Sequence, residues 1–314
     1  MIVHEHPARD LLRLLIWYPL RWFCARAPIA LNLRLFAAMG RLHLALSGTR
    51  RAQLRALFGR AYPAADAARI AAWSRTYLIN HYVDRLSIFH YHRLRGRALS
   101  RVIEIAGRDR LDAALAEGRG CVLVHAHLGP SQLPLVALGR LGYPMTQLGL
   151  RSARGLSFIG RRVQLHHRLR LEEAFPAEMI YVTRFQRQLY RSLAAGRVLM
   201  MAGDGTGTAE RYGHHLPHAC CGHTLELPLG PFRLAQSAGA PMRFLFLARD
   251  GARRYRAVIE SPPPGAETPE QLQQAFVARL RHWIDSDPGL WQFWDQFAPA
   301  AASAPSISQS TANT

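Results

Sequence analysis

From about residue 101 the chain alternates short apolar runs of strand length with helix-length segments, and this alternation most limits what it can fold into. Strands are expected at 102–106, 121–127, 145–150, 179–182, 198–202, 242–248 and 255–260. Helical segments are expected at 108–117, 133–141, 156–171, 184–195, 230–238 and 269–285. Such a series predicts an α/β fold: a single mainly parallel sheet flanked by helices on both faces. With 314 residues, 49% of them hydrophobic, the chain can bury a full core. Composition excludes collagen-like, coiled-coil and wholly disordered readings.

Residues 11–46 are densely apolar but are interrupted by Arg13, Arg21, Arg26, Arg34 and Arg41, so no uncharged stretch has the length of a spanning helix. Pro19 and Pro28 divide the segment, and Trp17, Tyr18, Trp22 and Phe23 lie close to arginines. Rings and guanidinium groups of this kind suit a helix lying in a lipid headgroup layer. A buried helical hairpin with its arginines in water is the plainer alternative. Residues 64–95 read as one long helix. The expected layout is therefore an amphipathic membrane-associating segment (1–48), an α/β domain (49–297) and a small, polar, disordered tail (298–314). No cleavable signal peptide is expected from the polar start, and no internal repeat is evident.

The net charge is +19, and all 40 basic residues are arginine. A surface this basic attracts anions: phosphate headgroups, acidic carrier proteins or nucleic acid. The arginines are spread along the chain without a recognition module, so nucleic acid is not an expected partner. Four cysteines, two of them adjacent (Cys220 and Cys221), do not make a disulfide framework, and a reducing compartment is expected.

Reactive groups in α/β sheets collect where strands end. The run CVLVHAH ends in His125 and His127, two residues apart and so on one face of an extended strand. A histidine at such an edge serves as a general base, a metal ligand or a hydrogen-bonded structural group.

The block LVHAHLGPSQLPLVALGRLGYPMTQL resembles the strand–His–turn–helix block of the bacterial lauroyl and myristoyl transferases of lipid A synthesis, within the wider glycerolipid acyltransferase superfamily. Three further blocks follow in the family's order. RVLMMAGDGTGT resembles its strand ending in Asp, CGHTLELPLGPFRLAQSAGAPM its Gly-Pro helix start and Gly-Ala-Pro, and DPGLWQFWDQF its tryptophan-rich close. The resemblance covers roughly residues 10–297 and implies a glycerolipid acyltransferase-like fold. It further implies transfer of a fatty acyl chain from acyl carrier protein or acyl-CoA to a hydroxyl of a lipid A precursor or related lipid. The setting it implies is the cytoplasmic face of a bacterial inner membrane.

In that reading His127 is the general base. The family's acid lies five positions after the histidine, where this chain has Gln132. A glutamine carbonyl can hold the ring but brings no charge to stabilise imidazolium. Either another acid such as Asp204 or Glu210 folds in near His127, or the enzyme is slow, or the chain is a catalytically impaired lipid-binding relative. Asp204, flanked by Gly203 and Gly205, is expected near the active site, or else as a turn-former. The family also implies a phosphate-binding arginine. Arg151, Arg161 and Arg168 are the candidates, with Arg162 beside them; a spacing of seven puts Arg161 and Arg168 on one helical face.

HHLPHACCGH carries zinc-type ligands from His214 to His223, but a second ligand pair is missing and adjacent cysteines chelate one ion poorly, so no metal is expected there. The family alignment makes this stretch a plain loop. GDGTG lacks the Lys and spacing of a P-loop, and no cofactor is expected.

Overall fold

The computed structural model describes residues 7–153, 155–182, 187–205, 212–251 and 254–297. It opens with helix α1 (Pro7–Leu15), which continues through a π-turn (Ile16–Leu20) into α2 (Arg21–Arg26). Pro19 lies inside that turn and has no N–H to give to the helical ladder. Pro28 sets the start of α3 (Ile29–Leu46), and Ser47 caps α4 (Gly48–Ala61) by accepting from the Arg50 N–H. Asp66 caps α5 (Ala67–Leu86) in the same way, through the Arg69 N–H. α3 lies against α5, where Gly40 comes so close that a Cβ there would sit 2.7 Å from Ile79 Cα and Leu78 O.

The helix expected over 64–95 stops at Leu86 and gives way to two short 3-10 turns, Ser87–Phe89 and Tyr91–Arg93. Ile88, Phe89, His90 and Tyr91 are all buried. Four consecutive residues cannot all face the interior from one side of a straight helix. After α6 (Gly96–Ser100) the α/β series begins with β1 (Ile103–Ala106), α7 (Arg108–Ala116), β2 (Cys121–His125), α8 (Leu133–Arg140) and β3 (Met145–Gly149). A π-turn (Gly160–Leu165) leads into α9 (His166–Glu172), followed by β4 (Ala177–Tyr181), α10 (Arg187–Ala194) and β5 (Val198–Ala202). A hairpin of β6 (His215–Cys220) and β7 (His223–Pro228) precedes α11 (Gly230–Ala238), β8 (Met242–Asp250), β9 (Arg254–Glu260) and α12 (Pro269–Ser286). Thr268 and Gln271 form a capping box at the start of α12.

The seven-stranded sheet has the order β1-β9-β8-β2-β5-β3-β4. β8, β2, β5, β3 and β4 run parallel. β9 pairs antiparallel with β8, and β1 follows the direction of β9. The sheet is thus mainly parallel with a reversed edge pair. β2 is buried along its whole length, and β5 over four of its five residues. This is the pattern of central parallel strands covered on both faces. In the β2–β5 register, Cys121 faces Val198 and His125 faces Ala202, so the two strands end level at one edge. The Gly203 N–H donates to the His125 carbonyl at 2.8 Å and carries the pairing one residue further.

Candidate active site

That level edge brings His127 and Asp204 together across 77 residues of chain. Nδ1 of His127 and Oδ1 of Asp204 are 2.8 Å apart, and Oδ2 accepts the backbone N–H of His127 at 2.8 Å. Oδ2 also accepts the indole N–H of Trp291 at 3.0 Å. An ionised carboxylate can only accept, so the proton sits on Nδ1 and the Nε2 lone pair is left available. Nε2 makes no hydrogen bond among the described residues. Asp204 is fully buried, whereas the His127 side chain keeps 22% of its exposure. The acid is sealed and the ring can still be reached.

The electrostatics follow from this arrangement. Burial disfavours charge on His127, but the charge and hydrogen bond of Asp204, with Asp84 adding a smaller pull, outweigh it and hold the imidazole above its ordinary pKa. Burial likewise disfavours charge on Asp204. The His127 charge and hydrogen bonds reverse the balance and keep Asp204 below the usual carboxylate value. His125 is different: burial first, then repulsion from His127, lowers it to about 4. It is a neutral, buried ring 5.3 Å from that of His127, not a second base.

The turn that carries His127 is clamped from two sides. The closing segment lies across it, with Gly129 N–H donating to Leu290 O at 2.8 Å and Gln292 N–H to His127 O at 2.9 Å. Phe293 packs its ring 4.4 Å from the imidazole. From α5, Asp84 accepts the Ser131 N–H at 2.9 Å and the Ser131 hydroxyl at 3.3 Å. Burial pushes the Asp84 carboxyl up, against these hydrogen bonds and the nearby His127 charge. Trp291, Phe293 and Asp84 were not among the residues expected at the site. The sequence offered one signal, the tryptophan-rich close, but not which indole would find the acid.

Gln132 is not the partner of His127. It occupies the N-cap of α8, near buried Glu172 on α9. The acid comes from the end of β5 instead, because sheet neighbours meet more closely there than residues separated by a turn. Glu210 and the tail 298–314 lie outside the described residues.

Arg151, Arg161 and Arg162 line one groove of about 330 Å³, with Leu165, His166 and Leu169. Arg151 follows the end of β3, which runs parallel to β2 two strands away, so it leaves the sheet at the same edge as His127. Arg168 does not line it. Arg168 donates to Leu150 O at 3.1 Å and lies 3.5 Å from Glu172. The π-turn Gly160–Leu165 widens the coil between Arg161 and Arg168, so a spacing of seven no longer puts them on one face.

His214–His223 is not a plain loop. Most of it forms the β6–β7 hairpin, with Cys220 opposite His223. Among the described residues no group of three or more His, Cys, Asp or Glu is placed to hold a metal ion. Compared with known proteins, the chain matches no protein-family model and no curated protein.

Proposed function

We propose that this chain is an acyltransferase of the lipid A late acyltransferase type, within the glycerolipid acyltransferase superfamily. The observation that carries the reading is the His127–Asp204 pair, with an open Nε2 and an acid that is sealed from water. Nε2 takes the proton of the acceptor hydroxyl as its oxygen attacks the thioester carbonyl. The tetrahedral intermediate collapses, the carbon–sulfur bond breaks, and the imidazolium returns the proton to the leaving thiolate. Asp204 stays ionised throughout, holding the ring and stabilising its cation. Acyl carrier protein or acyl-CoA is the donor. The acceptor is a lipid A precursor or a related lipid, whose phosphate Arg151, Arg161 and Arg162 would meet in bidentate fashion.

The reading places the protein on the cytoplasmic face of a bacterial inner membrane, with its N-terminal helices on the lipid surface. One helix, Ile29–Leu46, is long and apolar enough to cross a membrane by length and composition. Its close contact with α5 at Gly40 favours a helix lying along the surface. The alternative is a catalytically impaired lipid-binding relative, motivated by Gln132; the carboxylate on Nδ1 of His127 supports the active reading.

The test is acyl transfer from radiolabelled acyl carrier protein into total membrane lipid. Wild type should transfer, His127→Ala should not, and Asp204→Asn should be slower by about 10²–10⁴-fold. Lipid binding without transfer at any chain length would favour the non-catalytic relative.

A further inference from the structure

A second basic groove lies away from the site, between α3, α4 and α5. Arg41, Arg51, Arg55 and Arg75 line it, with Leu44 and Ser74 among its walls, around a volume of about 340 Å³. No carboxylate lines it, and none of the four arginines forms an ion pair among the described residues. The surroundings offer little to neutralise them: residues 1–100 hold 16 arginines but only Glu5, Asp10, Asp66 and Asp84 as acids.

Apolar surface adjoins the groove. On α3, Leu31, Leu42 and Leu46 form one exposed stripe, and Arg34 and Arg41 run along its flank at helical spacing. With Trp22 and Phe23 on α2, these apolar side chains are 40–78% exposed. An apolar patch of this extent marks an interaction surface. A second copy of the chain would bring a like-charged layer against it, whereas an anionic lipid leaflet complements both charge and apolarity.

We infer that the groove between α3, α4 and α5 binds the phosphate headgroup of an anionic membrane lipid while the stripe of Leu31, Leu42 and Leu46 enters the acyl layer. The site is separate from the groove of Arg151. Along α5, Arg75 and Asp84 are nine residues apart, about 14 Å at the helical rise, so headgroup binding holds the molecule beside the reaction edge without entering it. The inference shares with the proposed function only the membrane setting and does not need acyl transfer to be correct.

Flotation of the full chain with vesicles tests it, using phosphatidylcholine alone and an equimolar mixture of phosphatidylcholine and phosphatidylglycerol. Arg41→Gln/Arg75→Gln should weaken binding to the anionic vesicles about thirty-fold, the loss expected for two arginines at a charged surface. Arg233→Gln/Arg281→Gln removes equal charge elsewhere and should leave binding within about three-fold. Leu42→Ser/Leu46→Ser should weaken binding to both vesicle types. Equal losses from the two arginine pairs would reduce the effect to net charge and overturn the site. Groove-dependent binding of inorganic phosphate or of duplex DNA, with vesicle binding unchanged by Arg41→Gln/Arg75→Gln, would overturn the lipid assignment. Acyl transfer by Arg41→Gln/Arg75→Gln on detergent-solubilised substrate should be unchanged, so failure here and failure of the acyltransferase reading are read separately.

Discussion

At Asp204 both carboxylate oxygens are occupied: Oδ1 meets Nδ1 of His127, and Oδ2 takes two N–H groups. Asp204→Asn would remove the charge that raises the His127 pKa, leaving burial to lower it. The acid limb of kcat/KM, where the base becomes protonated, should therefore move to lower pH in the variant, as measured from a pH–rate profile. Stability carries the opposite sign. The folded His127 pKa lies above the ordinary value of 6.5, so its protonated form adds stability in full below 6.5, and that part is lost as pH rises through the folded pKa. The Asp204 contribution is present above 3.8 and is lost as pH falls through its lowered folded pKa. Melting temperatures of wild type and Asp204→Asn across pH should show their gap narrowing as pH rises past neutrality. Gln132→Glu should leave transfer within about three-fold or reduce it, because Asp204 already holds Nδ1 of His127 and the new carboxylate would add like charge near buried Glu172. A large gain in activity would contradict the placement of Gln132.

At the scale of elements, two contacts join parts of the chain that are far apart in sequence. The closing segment carries Trp291 onto Asp204, and Trp291→Phe removes a buried hydrogen bond to a charged group. The expected cost is about 1.5–3 kcal/mol in urea unfolding, before any loss from the smaller ring. It should also slow transfer, since Asp204 would lose one of its three donors. α3 meets α5 at Gly40, where an added Cβ would strike backbone that cannot turn aside. Gly40→Ala should destabilise by about 1–3 kcal/mol, seen as a lower urea midpoint, by forcing the helices apart. Segment types were readable from periodicity, and the alternation gave the strands from 102 to 260 nearly in place. The hairpin His215–Pro228 was not readable, because its histidines and cysteines read as a ligand cluster or a loop rather than as alternating strand. The break after Leu86 was not readable either, since it answers to burial from several directions at once.

Over the whole molecule, two grooves gather seven of the 40 arginines, three beside the end of β3 and four on the helical layer. Arg151→Gln/Arg161→Gln should raise KM for a phosphorylated acceptor about ten-fold or more while kcat changes little, because these side chains would bind ground and transition states alike. The apolar–polar pattern by itself determined the α/β class, the strand β2 that leads to His127, though it stops at His125 and leaves His127 on the turn, and the basic, apolar character of the first 46 residues. Each of these depends on neighbours along the chain, and a local pattern carries it. Only the tertiary structure decided which acid meets His127, which indole braces that acid and which arginines share a groove. The order of strands brings β5 beside β2 and closes a gap of 77 residues to 2.8 Å, while Gln132, only five residues from the histidine, is taken up in the start of a helix. Proximity in sequence limits reach, but the pairing of strands sets which groups touch.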